Sequence, residues 1–220
     1  GAGGSPVLIP SMGSHGGGEA DGQLQILKDL HITEDVVGAP VIKSVETDMI
    51  GYTPSGIPVY CNREAVKLDR IIVMNRIKPH TDFTGEIESG ICKMMAIGLG
   101  GPKGAITVHS YALHHGYERV IRETAAVMLE KLPVLFALGI LENGRHRTSA
   151  VKGMLPEEIM KMEPLYLSMV KDATIRLPFD LIDVLVIHEI GKNISGTGMD
   201  TKVVGRIMVK GQAEPEYPKI

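Results

Sequence analysis

The chain alternates short apolar runs with segments of helical periodicity, and this alternation constrains its fold more than any other feature. Apolar runs predict strands at 6–10, within 41–60, and at 70–75, 134–138 and 183–188. A helical period predicts helices at 19–30, 117–131 and 156–173. Buried strands separated by helices are typical of an α/β fold, so we predict a Rossmann-like, mostly parallel sheet flanked by helices.

A proline-containing turn at 177–180 separates the last long helix from a further apolar run. We therefore predict an N-terminal α/β domain over residues 1–177 and the beginning of a second α/β domain over 178–220. The sequence opens without Met and reaches an apolar run almost at once. We expect a piece of a longer protein, whose N-terminal domain lacks its first part.

Composition and charge exclude several classes of protein. Hydrophobic residues make up 44% of the chain and charged residues 22%, which suits a buried core rather than disorder. The net charge of -3, with no basic stripe, argues against nucleic acid as a partner, and no apolar run is long enough to cross a membrane. The two cysteines, Cys61 and Cys92, form no C-x-x-C motif, which indicates a cytoplasmic protein without a disulfide framework or a structural zinc site.

A glycine-rich loop at 11–18 follows the first apolar run and contains Ser14 and His15. Glycines let a backbone approach a ligand closely, and the start of the next helix favours an anion. The loop has neither the dinucleotide fingerprint nor the phosphate-loop pattern. A tight turn with an exposed His15 is one alternative. A hydrolase with Ser14 as nucleophile is another, although the loop lacks the G-x-S-x-G pattern.

A second candidate site follows the run at 70–75. Arg76 and Lys78 make this loop positive, and Pro79 restrains the backbone just before His80. Such a loop can hold a carboxylate while an imidazole moves a proton. The alternative is a structural histidine at the end of a strand.

The third and fourth candidates lie close together. Lys93 stands among apolar residues, so it must form an ion pair, lose its charge or be covalently occupied. Its alternatives are a lysine that reaches solvent or a pair with Glu88. His109, with His114 and His115 after it, suggests a metal ligand. No second cluster of His or Cys completes a zinc site.

Taken in order, these motifs resemble the signature of the nickel-pincer-dependent lactate racemase family, in its N-terminal domain and in a branch of uncharacterised homologues. The similarity extends from the first apolar run to 191–200. The motifs that carry it are Gly-Ser-His-Gly-Gly at 13–17, Lys-Pro-His at 78–80, Glu-Ser-Gly-Ile-Cys-Lys at 88–93 and Val-His at 108–109.

The resemblance implies a cofactor, the nickel-pincer nucleotide, a pyridinium bis-thiocarboxylate-derived mononucleotide that carries nickel. Lys93 would tether it covalently, Ser89 and Gly90 would bind it, and His109 would be the nickel ligand. Soft sulfur with one imidazole suits square-planar Ni(II). Cofactor-maturation enzymes are therefore implied as partners, and recombinant protein is expected often to lack the cofactor.

The resemblance also implies a reaction, the racemisation or epimerisation of a 2-hydroxy acid. His15 and His80 would be the two acid/base groups that take the hydroxyl proton, while hydride moves reversibly to the cofactor. Lys192, Lys78 and Arg76 would hold the substrate carboxylate.

The sequence departs from the family at several points. The substrate-binding arginine near the family's N-terminus and the longer C-terminal domain are not visible in it, and the motifs Gly-Ser-His-Gly-Gly at 13–17 and Ile-Cys-Lys-Met-Met at 91–95 differ from those of the characterised racemase. Two other functions therefore stay open. One is a non-catalytic anion- or nucleotide-binding domain, and the other is a different oxidoreductase or lyase on the same scaffold.

Overall fold

The computed structural model describes residues 3–191, 194–209 and 212–220. The helices of these residues are a short 3-10 helix His15–Gly18, α1 Ala20–Asp29, α2 Glu34–Val37, α3 Arg63–Val66, α4 Ile91–Lys93, a π-helical segment Met94–Leu99, α5 Gly101–His115, α6 Tyr117–Lys131 and α7 Pro156–Asp172. The strands are β1 Thr47–Tyr52, β2 Pro58–Asn62, β3 Ile71–Ile77, β4 Val134–Glu142 and β5 Thr148–Met154.

The strands form two sheets. β1 and β2 pair as an antiparallel hairpin, and the larger sheet has the order β3-β4-β5. In the larger sheet β3 and β4 are parallel, because α4, α5 and α6 lie between them and return the chain. β5 is antiparallel to β4, since the loop 143–147 is too short for a crossover. The predicted α/β class is confirmed, with a sheet that is mixed.

The core lies between this sheet and the helices that follow it. Alternate residues of β3 point inward, so Ile71, Val73 and Ile77 are buried whereas Ile72 and Met74 are exposed. The inward side chains pack against fully buried residues of the π-helical segment, α6 and α7, which are Met95, Ile121, Met128, Ile159 and Leu167. This packing fixes the end of β3, where the candidate site begins.

The three predicted helices are present, as are strands within 41–60, at 70–75 and at 134–138. The strand predicted at 6–10 is wrong, because the only pairing there is a single parallel bridge between Leu8 and Val41. The strand predicted at 183–188 is also wrong. Among the described residues this segment pairs with no neighbouring strand, and the side chains of Val184 and Val186 are 76% and 86% exposed.

Helix α5 was not predicted from the sequence, although it carries His109. Gly101 and Gly104 lower its local helix propensity, but tertiary packing requires them to be small. A Cβ at Gly101 would lie 2.7 Å from the Thr47 side chain, and one at Gly104 would lie 3.1 Å from the Ala96 carbonyl oxygen. Within the part of the chain that the structure describes, none of the helices has the length and apolar character needed to cross a membrane.

Candidate functional site

The candidate site lies where β3 ends, at the carboxyl edge of the parallel strand pair. A loop leaves β3 at Lys78 and returns at Ser89, and these two residues exchange backbone hydrogen bonds of 2.8 and 3.2 Å. α4 begins immediately after this return. The closed loop therefore brings Lys93 back beside the residues that follow β3, which is where open α/β sheets bind ligands.

Glu88 closes this loop from the inside and is fully buried. Its carboxylate accepts the backbone N–H groups of His80 at 2.6 Å and Gly85 at 3.2 Å. It also forms ion pairs with Lys171 of α7 at 2.6 Å and with Lys202 at 2.7 Å. Glu88 is therefore the partner of these two lysines, and its role is to tie the His80 loop to two distant parts of the chain.

The imidazole of His80 is held on two sides. The Asp82 backbone N–H donates to its Nδ1 at 3.0 Å, and its ring stacks on Phe83 with centroids 4.5 Å apart. Burial, followed by repulsion from Lys93 and Lys202, lowers the pKa of His80 to about 3. His80 is therefore neutral at physiological pH.

Lys93 lies in the same electrostatic environment and is half-buried. Burial, followed by repulsion from Lys78, lowers the pKa of Lys93 to about 8, while Asp82 opposes the shift. Among the described residues its amine has no hydrogen-bond or ion-pair partner. A lysine with such a pKa is uncharged in a much larger fraction of molecules than a free lysine is at neutral pH, and it can act as a nucleophile.

The short helix that carries Lys93 is anchored at its first turn by Glu163 of α7. The Glu163 carboxylate accepts the Cys92 backbone N–H at 2.9 Å, and burial raises the pKa of Glu163. A Cβ at Gly90 would lie 2.1 Å from Glu163 Oε1, so any larger residue would have to displace the Glu163 side chain. The Asn75 side chain donates to the Gly90 carbonyl at 2.9 Å, which connects the helix to β3.

His109 projects from α5 and contacts Tyr117, the first residue of α6. Its Nδ1 lies 3.3 Å from Tyr117 Oη, and the two rings meet edge to face with centroids 5.7 Å apart. Tyr117 stacks on Phe83 at 5.1 Å, so one row of rings connects His109 with His80. Partial burial, followed by repulsion from Lys93, lowers the pKa of His109.

His15 lies in a different setting. Its ring is exposed, and its Nδ1 lies 2.9 Å from the Met12 carbonyl oxygen. Its loop packs on the helices of the site, since a Cβ at Gly13 would lie 2.9 Å from the Ile97 side chain. In the described parts of the chain no hydrogen bond or ring contact joins His15 to His80, Lys93 or His109.

The structure describes two of the three residues predicted to bind the substrate, Lys78 and Arg76. Burial, followed by repulsion from Arg76, lowers the pKa of Lys78. The charge of Lys78 in turn contributes to the lowered pKa values of His80 and Lys93. Arg76 forms an ion pair with Glu142 of β4 at 3.3 Å. Lys192 lies outside the described residues.

Sequence analysis missed Asp82, Tyr117, Lys202 and Glu163 as parts of the site. Asp82 was within reach of sequence reasoning, since it stands two positions after His80. Lys202 had no local signal, because its partner Glu88 is 114 positions away in the sequence. Glu163 lies midway between Ile159 and Leu167 on the buried face of α7, so helical spacing could have indicated its burial, but its contact with Cys92 is 71 positions away in the sequence and has no local signal.

The arrangement can bind an anion and present a reactive amine beside two imidazoles. Within residues 3–191, 194–209 and 212–220 no group of three His, Cys, Asp or Glu side chains could hold a metal ion. His109 could therefore supply one ligand to a metal whose remaining ligands belong to a bound group.

Comparisons with known proteins support the α/β fold described above. A structure search finds the lactate racemase apoprotein from Thermoanaerobacterium thermosaccharolyticum, with a TM-score of 0.55 and 19% identity. The match covers 72% of this chain and 40% of that one, so the chain spans well under half the length of this structural relative. No curated protein matches the sequence.

A family model described as the lactate racemase N-terminal domain matches residues 6–120, which is more than half of the chain. The matched range contains His15, His80, Lys93 and His109, and with them the glycine-rich loop, the loop after β3 and helix α5. The chain therefore belongs to the lactate racemase N-terminal domain family.

Proposed function

We propose that this chain is part of a racemase or epimerase of a 2-hydroxy acid that uses a nickel-pincer nucleotide tethered to Lys93. One observation carries the proposal. The half-buried amine of Lys93 has a pKa lowered to about 8 and shares its surroundings with His80 and His109 at the carboxyl edge of β3. Family membership supports the same reaction class.

The residues present fit the cofactor. Acylation of Lys93 would remove a charge that burial and Lys78 already disfavour. His109 would supply the imidazole ligand to nickel, with the other ligands contributed by the pincer itself. Ser89 and Gly90 lie directly before the tethering helix, where the cofactor would pass. When bound, the cofactor would supply a hydride acceptor and donor.

The substrate would lie between the tether and the two histidine loops. Lys78 is the cation that we propose to hold the substrate carboxylate, because its charge contributes to the lowered pKa values of both His80 and Lys93. Arg76 would have to leave Glu142 to contribute, and Lys192 is proposed from the resemblance alone. His15 and His80 would be the two acid/base groups that exchange the hydroxyl proton of the substrate.

A non-catalytic anion- or nucleotide-binding domain is the second candidate function. The amines of Lys78 and Lys93 favour it, since neither has a carboxylate partner within 4 Å among the described residues. Such a domain would bind a phosphate or carboxylate reversibly and would carry no covalent adduct.

The experiment that separates the two functions is intact-protein mass with peptide mapping and nickel analysis, after co-expression of the full parent protein with cofactor-maturation enzymes. We expect an added mass on Lys93 and about one equivalent of nickel. Lys93→Ala should lose both. Lys103→Ala is the matched control, because Lys103 is exposed on α5, and it should retain both. An adduct that persists in Lys93→Ala would refute the proposal.

A second variant separates the tether from the metal ligand. His109→Ala should keep the organic adduct on Lys93 and lose nickel, because the imidazole binds only the metal. If nickel were retained at the wild-type level, His109 would not be a ligand.

A further inference from the structure

The carboxylate of Glu88 divides its two oxygens between two halves of the loop that follows β3. Oε2 accepts the His80 backbone N–H at 2.6 Å and the Lys202 amine at 2.7 Å. Oε1 accepts the Gly85 backbone N–H at 3.2 Å and the Lys171 amine at 2.6 Å. Each oxygen therefore joins one amide of the loop to one lysine from a distant part of the chain.

The two lysines repeat this division at the carbonyl groups of the loop. Lys202 also donates to the Phe83 carbonyl at 2.8 Å, whereas Lys171 donates to the Gly85 carbonyl at 3.0 Å. The ring of Phe83 is the one on which the His80 imidazole stacks. Lys202 therefore holds both supports of His80, the carboxylate oxygen that binds its backbone and the residue that packs on its ring.

The turn that carries Lys202 binds the same half of the loop. The Thr201 hydroxyl donates to the Thr81 carbonyl, one residue after His80. Asp200 orders the turn, because its carboxylate accepts the backbone N–H groups of Lys202 at 3.1 Å and of the next residue at 3.2 Å. The amine of Lys202 is thus presented to the loop by a backbone that is itself fixed.

The charge of Lys202 also reaches the imidazole. Burial is the largest cause of the lowered pKa of His80, and repulsion from Lys93, Lys202, His109 and Lys78 follows. Burial lowers the pKa of Lys202 itself, but its hydrogen bond to Glu88 opposes that shift. Removing the charge of Lys202 should therefore raise the pKa of His80.

We propose that Lys202 is the positioning residue of His80, and that Lys171 positions only the Gly85 half of the same loop. This inference rests on the proposed function, in which His80 is one of the two acid/base groups. Lys202 acts on His80 through Glu88 and Phe83 and does not contact the substrate. Proton exchange depends on alignment, so the turn at 200–202 belongs functionally to the site.

Amide hydrogen exchange, followed by NMR in the full parent protein without cofactor, measures the two halves of the loop separately. Lys202→Met and Lys171→Met are matched, since each leaves Glu88 with one lysine and two loop amides. We expect Lys202→Met to speed exchange of the His80 amide roughly tenfold, and Lys171→Met to do so for the Gly85 amide. A His80 amide that exchanges equally fast in both variants would overturn the proposal.

Titration of the His80 ring, followed by 15N NMR down to the onset of acid unfolding, gives a readout that loss of packing elsewhere would not change. We expect Lys202→Gln to raise the pKa of His80 by roughly 0.5–1 pH unit and Lys171→Gln to raise it less. Lys202→Gln keeps a hydrogen-bond donor, so it also replaces Lys202→Met in the exchange experiment if that variant does not fold. Equal titration in the two Gln variants would contradict the proposal.

The loaded full-length protein tests the consequence for catalysis. Displacing an acid/base group lowers the rate of the chemical step more than it weakens substrate binding. We expect Lys202→Gln to lower kcat for inversion by roughly 10²-fold with a smaller change in KM, and Lys171→Gln to lower kcat less than about tenfold. Equal losses of kcat would show that Lys202 has no special relation to His80.

Failure of this inference is distinguishable from failure of the proposed function. If Lys93 carries no adduct in the parent protein, the racemase proposal fails whatever the exchange of the His80 amide. If the adduct and nickel are present but the two lysine variants affect His80 equally, only the positioning role of Lys202 fails.

Discussion

The loops that carry His15 and His80 both follow an apolar run in the sequence, but they are held in different ways. Each is supported by one buried polar side chain. Gln23, 2% exposed, donates a single hydrogen bond to the Gly13 carbonyl at 3.0 Å. Glu88, which is fully buried, receives two backbone N–H groups and two lysine amines.

The backbone explains the rest of this difference. Gly16, Gly17 and Gly18 all have positive φ, so the His15 loop owes its shape to its own glycines. The His80 loop is held by Glu88, whose carboxylate forms ion pairs with Lys171 of α7 and with Lys202. The comparison shows that a histidine after an apolar run is oriented strongly only when distant parts of the chain contribute partners.

The largest expected difference between the loops is in stability. Glu88→Ala leaves Lys202 and Lys171 without their buried partner, which should lower the free energy of unfolding by about 3 kcal/mol. Gln23→Ala removes one hydrogen bond and should cost about 1 kcal/mol. Urea denaturation of both variants measures the difference, and equal losses would remove the distinction between the two loops.

Acid should act mainly through His80. Its native pKa of about 3 lies below the ordinary 6.5, so below pH 6.5 the unfolded chain takes up a proton that the native protein does not. This group therefore contributes stability that is present above pH 6.5 and is lost as pH falls toward 3. By about pH 4 the loss is roughly 3 kcal/mol.

The His80→Gln variant should lose this part of the pH dependence, which denaturation series at several pH values would detect. His15→Gln is the matched control, because it removes an exposed histidine, and it should retain the wild-type slope. A wild-type slope in His80→Gln would show that the ring of His80 is not shielded in the native protein.

A smaller effect is expected at the glycine that precedes the tethering helix. Gly90→Ala places a Cβ against Glu163 Oε1 and should cost about 2 kcal/mol through overpacking. Gly17→Ala meets open space and costs about 1 kcal/mol through its positive φ alone. Adding Glu163→Ala should make the Gly90 substitution less costly, and strictly additive losses in that double variant would contradict the contact.

The smallest effect is expected for Tyr117→Phe, which keeps the row of rings and removes only the hydroxyl group near His109. We expect a loss of about 1 kcal/mol in stability. We also expect a change in the tautomer population of His109, because Oη no longer restrains Nδ1. 15N NMR of His109 measures that change, with the His80 signals as the internal reference. Unchanged His109 signals would show that the hydroxyl does not orient the ring.

The sequence by itself determined several of the local elements and the motifs that carry the family resemblance. Helices α6 and α7 and strand β3 were predictable because hydrophobic periodicity is a property of neighbouring residues. The lysine among apolar residues and the Lys-Pro-His motif were visible for the same reason, and the match to the family model over residues 6–120 agrees with the resemblance they carried.

Only the tertiary structure decided which groups meet and in what protonation state. The apolar run at 183–188 has the composition of a strand but no strand beside it in the described chain, so its pairing could not follow from composition. Helix α5 was not predicted because its glycines lower the local helix propensity. Packing against β1 and the π-helical segment nevertheless requires these small residues. The tautomer of His80 depends on the Asp82 backbone N–H, which donates to Nδ1. The His80 loop depends on the Glu88 carboxylate, and Lys202, one of its two lysine partners, is 114 positions away in the sequence. Partners this distant are brought together by the packing of the whole chain, and no local pattern records them.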